Sequence, residues 1–170
     1  MADEVIGHMR EKIVVEDNIE IVPRKRPEKT DDYLPFENIE NGTTPMPAFG
    51  DGFNIHVTGL THDERGYPDT NNPETHDKLI QRICDKVLNN KEDICSVQSE
   101  NCEDADIVIV SYGAPVRSVV EAVNRSDKKV GYIKIDTPWP FPDEQVSKLT
   151  ANAKDVLVVE MNLGQMYYEV

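Results

Sequence analysis

The fold is decided by Ile107-Val108-Ile109-Val110-Ser111-Tyr112-Gly113-Ala114-Pro115. Four consecutive β-branched residues with no polar alternation suit a strand covered on both faces, and strands of that kind sit in parallel sheets. Gly113 makes the turn out of the strand. Val116, Val119, Val120 and Val123 then recur at helical spacing and form an inward stripe. The same order returns twice. Residues 130–135 read as a second strand, Pro142 opens a second helix with Val146 and Leu149 inward, and 156–159 read as a third strand. This alternation predicts an α/β fold: a parallel three-layer arrangement whose strands are joined by right-handed helical crossovers. Gly164 and its neighbours are expected to start a further helix.

Upstream of this region, Asn72-Pro73 is a helix start, because Asn caps and Pro at the first helical position loses no hydrogen bond. Leu79, Ile80, Ile83, Val87 and Leu88 give that helix, of about four turns, its apolar stripe. The chain is therefore expected to divide near Asn72, into a connecting arm over 1–72 and a regular domain over 73–170. In the arm, 2–10 fit a short helix and 13–15 and 19–22 are strand-like. Residues 23–52 hold five prolines and no apolar period, so they should be an extended, irregular strap. Phe53, Ile55 and Val57 alternate with Asn54 and His56, which predicts a half-buried strand. A polar loop with turns at Gly59 and Gly66 follows.

Composition excludes several functions. The 170 residues carry a formal charge of −14, which disfavours nucleic acid, bound through cationic neutralisation of phosphates, and anionic membrane surfaces. The one dense basic run, Arg24-Lys25-Arg26, is bracketed by Pro23 and Pro27 and reads as a solvated loop or a subunit contact. No apolar run approaches the roughly 20 residues of a membrane helix. Asp3 and Glu4 stand where a signal peptide would be basic. Cys84, Cys95 and Cys102 form no C-x-x-C pair, so neither a disulfide framework nor a zinc or iron–sulfur site is expected within the chain. A reducing, cytoplasmic compartment fits best. Only 38% of residues are hydrophobic and 29% are charged, which points to an extended region or to surface that partner subunits cover.

Two stretches carry possible chemistry. The turn at Gly113, with Arg117 in the first turn of the following helix, occupies the place where doubly wound folds bind anions. It lacks the further glycines of a dinucleotide site, and Arg117 could instead pair with Glu121. The second stretch is Thr61-His62-Asp63-Glu64-Arg65-Gly66. Consecutive residues of an extended chain point to opposite sides, so His62, Asp63 and Glu64 do not close on one ion without a special turn. A polar loop presented to a site elsewhere is the better reading. No nucleophile with an oriented base is discernible, and His8, His56 and His76 read as structural. Asp136-Thr137-Pro138-Trp139-Pro140-Phe141-Pro142 is a rigid strand exit with Trp139 and Phe141 as anchors, for a clasp within the domain or for a subunit interface.

Six segments in order resemble the α subunits of the 2-oxoacid:ferredoxin oxidoreductases, most closely the 2-oxoglutarate synthase branch. They are Ala2-Asp3-Glu4-Val5-Ile6-Gly7-His8-Met9-Arg10-Glu11, Pro45-Met46-Pro47-Ala48-Phe49-Gly50, Val57-Thr58-Gly59-Leu60-Thr61-His62-Asp63-Glu64-Arg65-Gly66, Val110-Ser111-Tyr112-Gly113, Thr137-Pro138-Trp139-Pro140-Phe141-Pro142 and Glu160-Met161-Asn162-Leu163-Gly164-Gln165. The resemblance implies a transketolase C-terminal-like domain after the arm, cut short after Gln165, with the family's pyrimidine-binding domain absent. It also implies a thiamine diphosphate-dependent complex that converts a 2-oxoacid and CoA to an acyl-CoA and CO2 and passes two electrons through iron–sulfur clusters to ferredoxin. In such a complex thiamine diphosphate, Mg²⁺ and the clusters are expected on the β, γ and δ subunits, with none bound by this chain alone. No catalytic residue is expected in the chain. His62, Asp63 and Arg65 are the candidates for the substrate or CoA end of the assembled site, and Gly113 and Arg117 for an anion. The alternatives are an independent small-anion-binding module using the Gly113 turn, or a non-catalytic assembly protein derived from such a subunit.

Overall fold

The computed structural model describes residues 14–28, 31–40 and 42–170. The helix expected over 2–10, the motif that begins at Ala2, and Ile13 and Asn41 lie outside the described residues. The chain divides into two compact units, one spanning Val14–Asn90 and the other containing Lys91–Val170. The helix after Asn72 thus groups with the arm that precedes it.

In the first unit the only regular element among the described residues is α1, Pro73–Leu88. It begins as its sequence requires: the Asn72 side chain accepts from the Glu74 N–H at 3.0 Å, with Pro73 in the first turn. Leu79 and Val87 are half-buried, while Ile80, Ile83 and Leu88 remain exposed and no residue of α1 is fully buried. The strap before it is irregular, as its prolines dictate, and is held by scattered ties. The Tyr33 hydroxyl donates to the Pro45 carbonyl, its ring meets Phe53 edge-on at 5.1 Å, and Arg26 pairs with Asp51 at 3.2 Å. Gly42, with φ of +67°, lies so close to α1 that a Cβ there would come within 2.7 Å of Lys86. The strands expected over 19–22 and 53–57 are absent. Neither stretch has a neighbouring strand among the described residues to complete its hydrogen bonds, and alternation alone does not provide one.

The second unit opens with α2, Lys91–Ile94, followed by β1, Val97–Glu100. The βα succession is then β2 (Ile107–Ser111), α3 (Val116–Asn124), β3 (Val130–Ile135), α4 (Asp143–Thr150) and β4 (Asp155–Val159). The sheet order is β1-β3-β2-β4. β2 lies parallel to both β3 and β4, as the alternation predicts, with Val108 opposite Gly131 on one side and Val156 on the other. β1 corrects the expectation of three strands: it is a fourth, antiparallel to β3, with Val97 opposite Ile135. Only Val97 in it is apolar, so no hydrophobic pattern marks it, and as an edge strand it needs none.

The core gathers Val108, Val110, Ile133 and Ile135 from the sheet, Val146 from α4 and Met166 from the chain's last turns, with Phe141 and Leu149 packed against them. Val116, Val119 and Val123 of α3 are also buried but stand outside this cluster, and α3 packs on β2 and β3. Gly131 allows the chain before β2 to cross β3 closely, since a Cβ there would stand 2.6 Å from the Asn101 carbonyl oxygen. The helix expected around Gly164 is instead a series of turns. In the strand-exit stretch Phe141 packs on the core, as a clasp within the domain requires, and Trp139 is 60% exposed.

Candidate functional site

The 61–69 loop is built around Asp63. Its Oδ1 accepts from the N–H groups of Arg65 (3.0 Å) and Tyr67 (2.9 Å), while its carbonyl accepts from Gly66 N–H (3.0 Å) and its own N–H donates to Tyr67 O (3.0 Å). An Asp fits because a short carboxylate can serve two N–H groups of a following turn. Gly66 turns with φ of +88°, and a Cβ on it would fall 2.2 Å from the His56 carbonyl oxygen. His62 and Pro68 form an antiparallel bridge, and Asp69 N–H donates to Thr61 O, closing the loop. The loop is tied to α1 by Thr75 donating to Asp69 (2.7 Å) and by Thr61 Oγ1 against His76 Nδ1 (2.9 Å).

His62 is buried at 8% exposure, its ring 4.3 Å from Phe36, and its Nδ1 lies 2.8 Å from the Asp63 carbonyl. A carbonyl only accepts, so Nδ1 carries the proton. The three candidates of this loop therefore take different places. His62 lies inside, Asp63 directs its carboxylate into its own turn, and Arg65 is exposed with its guanidinium bonded to no described residue.

A cavity of about 390 Å³ lies beside the loop, walled by His62, Glu64, Phe36, Asn38, Lys78 and Arg82. Asp63 also lines it and Arg65 does not. The Arg82 guanidinium sits 5.6 Å over the Phe36 ring, a cation–π placement. Phe36, Asn38, Lys78 and Arg82 belong to no motif that sequence reading singled out. The usable signal was the pair of like charges four residues apart on one helix.

The second candidate lies at the carboxyl ends of β2 and β4. Ser111 donates to Val159 O (2.8 Å), and the Asn162 amide donates to the Tyr112 hydroxyl (2.7 Å). Asn162 Oδ1 accepts from Gly164 and Gln165 N–H, and the Glu160 carboxylate from Met166 and Tyr167 N–H. Burial works to raise the Glu160 carboxyl, but these N–H bonds and the Asn162 amide outweigh it and hold it below the usual carboxylate range. Gly113 adopts φ of +64° with open space around it, and Arg117 is exposed with no partner among the described residues. Glu121, the partner Arg117 might have taken, pairs instead with Arg125 at 2.6 Å. Among the described residues no group of three or more His, Cys, Asp or Glu is placed to hold a metal ion, and no helix is long and apolar enough to cross a membrane.

Residues 105–170 match the family model for pyruvate:ferredoxin oxidoreductase core domain II. The whole chain aligns with 2-oxoglutarate synthase subunit KorA of Methanothermobacter marburgensis at 53% identity over 174 residues, 46% of that protein's length. KorA of Methanocaldococcus jannaschii is also 53% identical, over 100% of this chain and 46% of its own. Along its whole length the chain is similar to the α subunits of the 2-oxoacid:ferredoxin oxidoreductases. It spans about half the length of the KorA relatives it matches. The fold agrees with that similarity: a 2-oxoglutarate:ferredoxin oxidoreductase from Magnetococcus marinus, solved with 2-oxoglutarate, coenzyme A and succinyl-CoA bound, superposes with a TM-score of 0.71 at 28% identity, covering 88% of this chain and 27% of that one. The transketolase C-terminal-like α/β type expected of the sheet is consistent with the domain II match.

Proposed function

We propose that this chain is part of the α subunit of a thiamine diphosphate-dependent 2-oxoglutarate:ferredoxin oxidoreductase, which forms succinyl-CoA, CO2 and reduced ferredoxin from 2-oxoglutarate, CoA and oxidised ferredoxin. The observation that carries the reading is 53% identity to KorA along the entire chain, through the strap, the 61–69 loop and the sheet alike. The family resemblance assigns thiamine diphosphate with its Mg²⁺ and the iron–sulfur clusters to partner subunits, and no chemical step is routed through this chain. Its part is to position. Asp63 holds the turn, and the turn presents Arg65, whose guanidinium has no described partner and is suited to a carboxylate or phosphate. The unpartnered Arg117 at the Gly113 turn stands as the second anion candidate.

The test is co-purification of the chain with the remainder of the α subunit and the β, γ and δ subunits, followed by an assay of 2-oxoglutarate- and CoA-dependent reduction of a low-potential dye. Activity that needs this chain supports the reading. A fully active complex without it refutes it. In that assembly Arg65→Gln is expected to raise KM for 2-oxoglutarate or CoA about tenfold, the effect of losing one charge-assisted contact, and an unaltered kcat/KM for both would remove Arg65 from the site.

A further inference from the structure

The cavity beside the 61–69 loop has a cationic wall that no described residue neutralises. Lys78 and Arg82 stand four apart on α1, so they share a face, and like charges at that spacing work against the helix. Neither takes part in an ion pair among the described residues. Arg82 is half-buried and held over Phe36, which fixes its planar fork. The two acids that line the cavity do not answer these charges. Asp63 is engaged by the N–H groups of its own turn, and Glu64 is exposed, bonded only through its carbonyl to Phe36 N–H at 3.0 Å. Asn38 adds an amide on the cavity wall.

We infer that this cavity binds a small oxyanion, a carboxylate or phosphate group, gripped by Arg82 as a two-pronged donor and Lys78 as a point charge, with Phe36 and Leu79 as its apolar side. A volume of about 390 Å³ lies in the range of small-molecule sites and exceeds one anionic group, so the anion is the head of a larger molecule. Arg65, Gly113 and Arg117 are not among its lining residues. It does not rest on the proposed enzymatic role, because binding is expected of the 170-residue chain alone.

The test is a nuclear magnetic resonance titration of that chain at constant ionic strength, with inorganic phosphate, 2-oxoglutarate and coenzyme A as separate probes. The expected result is a saturable shift of the Arg82 Nε–H and of amides around 62–64 and 78–82. Response to 2-oxoglutarate alone assigns a carboxylate, and response to phosphate and coenzyme A assigns a phosphate. Arg82→Gln should weaken binding about tenfold, and Glu64→Gln should tighten it. Lys78→Gln, at an exposed position, repeats the test should Arg82→Gln disturb the fold by circular dichroism. The inference is overturned by no saturable shift with any probe, by equal shifts at Arg24, Lys25, Arg26, Lys128 and Lys129, or by Lys78→Gln and Arg82→Gln both retaining full affinity.

Discussion

Asp63 and Gly66 do different work in one turn, and substitutions separate them. Asp63→Ala removes an acceptor shared by two N–H groups and is expected to lower stability by about 2 kcal/mol, with Asp63→Asn costing less because it keeps an oxygen in place. Gly66→Ala meets both an unfavourable φ and the His56 carbonyl, so its cost should exceed about 2 kcal/mol, against about 1 kcal/mol for Gly113→Ala, which meets only the φ. Urea denaturation of the four variants ranks them. The sequence drew attention to His62, Asp63 and Arg65 because they are polar neighbours in a loop. It did not disclose that Asp63 spends its charge on the backbone, since that depends on a turn closing at Gly66. Nor did it bring Phe36 and Asn38 to Arg82, because more than forty positions of chain separate them and no periodic pattern crosses that distance.

Among the elements, the parallel strands were readable to within a residue, from the unbroken Ile and Val run at 107–110 and the β-branched and aromatic residues that dominate 130–135. β1 was not, because it is polar and is held from its sides. The carboxyl of Asp136 is the fastening. Its bond from Lys134 (2.8 Å), against some opposing burial and with help from Gln98 and Ser96, keeps it below the usual carboxylate range. A carboxyl depressed in the fold contributes stability above its unfolded pKa, roughly 4, and that contribution disappears as pH falls through the lower folded value. Protection of the β1 amides from hydrogen exchange, relative to the intrinsic rate, should therefore fall in acid before that of the rest of the sheet, and Asp136→Asn should abolish that acid dependence while lowering protection at neutral pH. The core and α1 differ as sharply. Ile133→Ala, at a position with no exposure, should cost about 3 kcal/mol, whereas Ile80→Ser, at 45% exposure, should stay within about 0.5 kcal/mol. The apolar stripe of α1 was plain in the sequence, but what covers it is not written there.

For the molecule as a whole, the edge strand β4 carries Val156 and Leu157 half in the open, and Met161, Leu163 and Tyr168 in the turns that follow it are exposed. An uncovered strand edge with apolar side chains templates association. The chain alone should show concentration-dependent self-association by light scattering, and Leu157→Glu should suppress it with little change in melting temperature. Composition pointed to an extended region or to surface that partner subunits cover, from 38% hydrophobic and 29% charged residues, and no residue pattern in this chain spells out a partner. The turns after β4 have one more consequence. Glu160 and Asn162 occupy the amides of Gly164, Gln165, Met166 and Tyr167, so a protease cannot draw that stretch into its cleft as a straight ribbon, however inviting Leu163 and Tyr168 are as cleavage points. Val14, Val15, Ile19, Ile21 and Val22 are equally open and carry no such ties among the described residues. Limited digestion with elastase should nick there first and leave the tail whole.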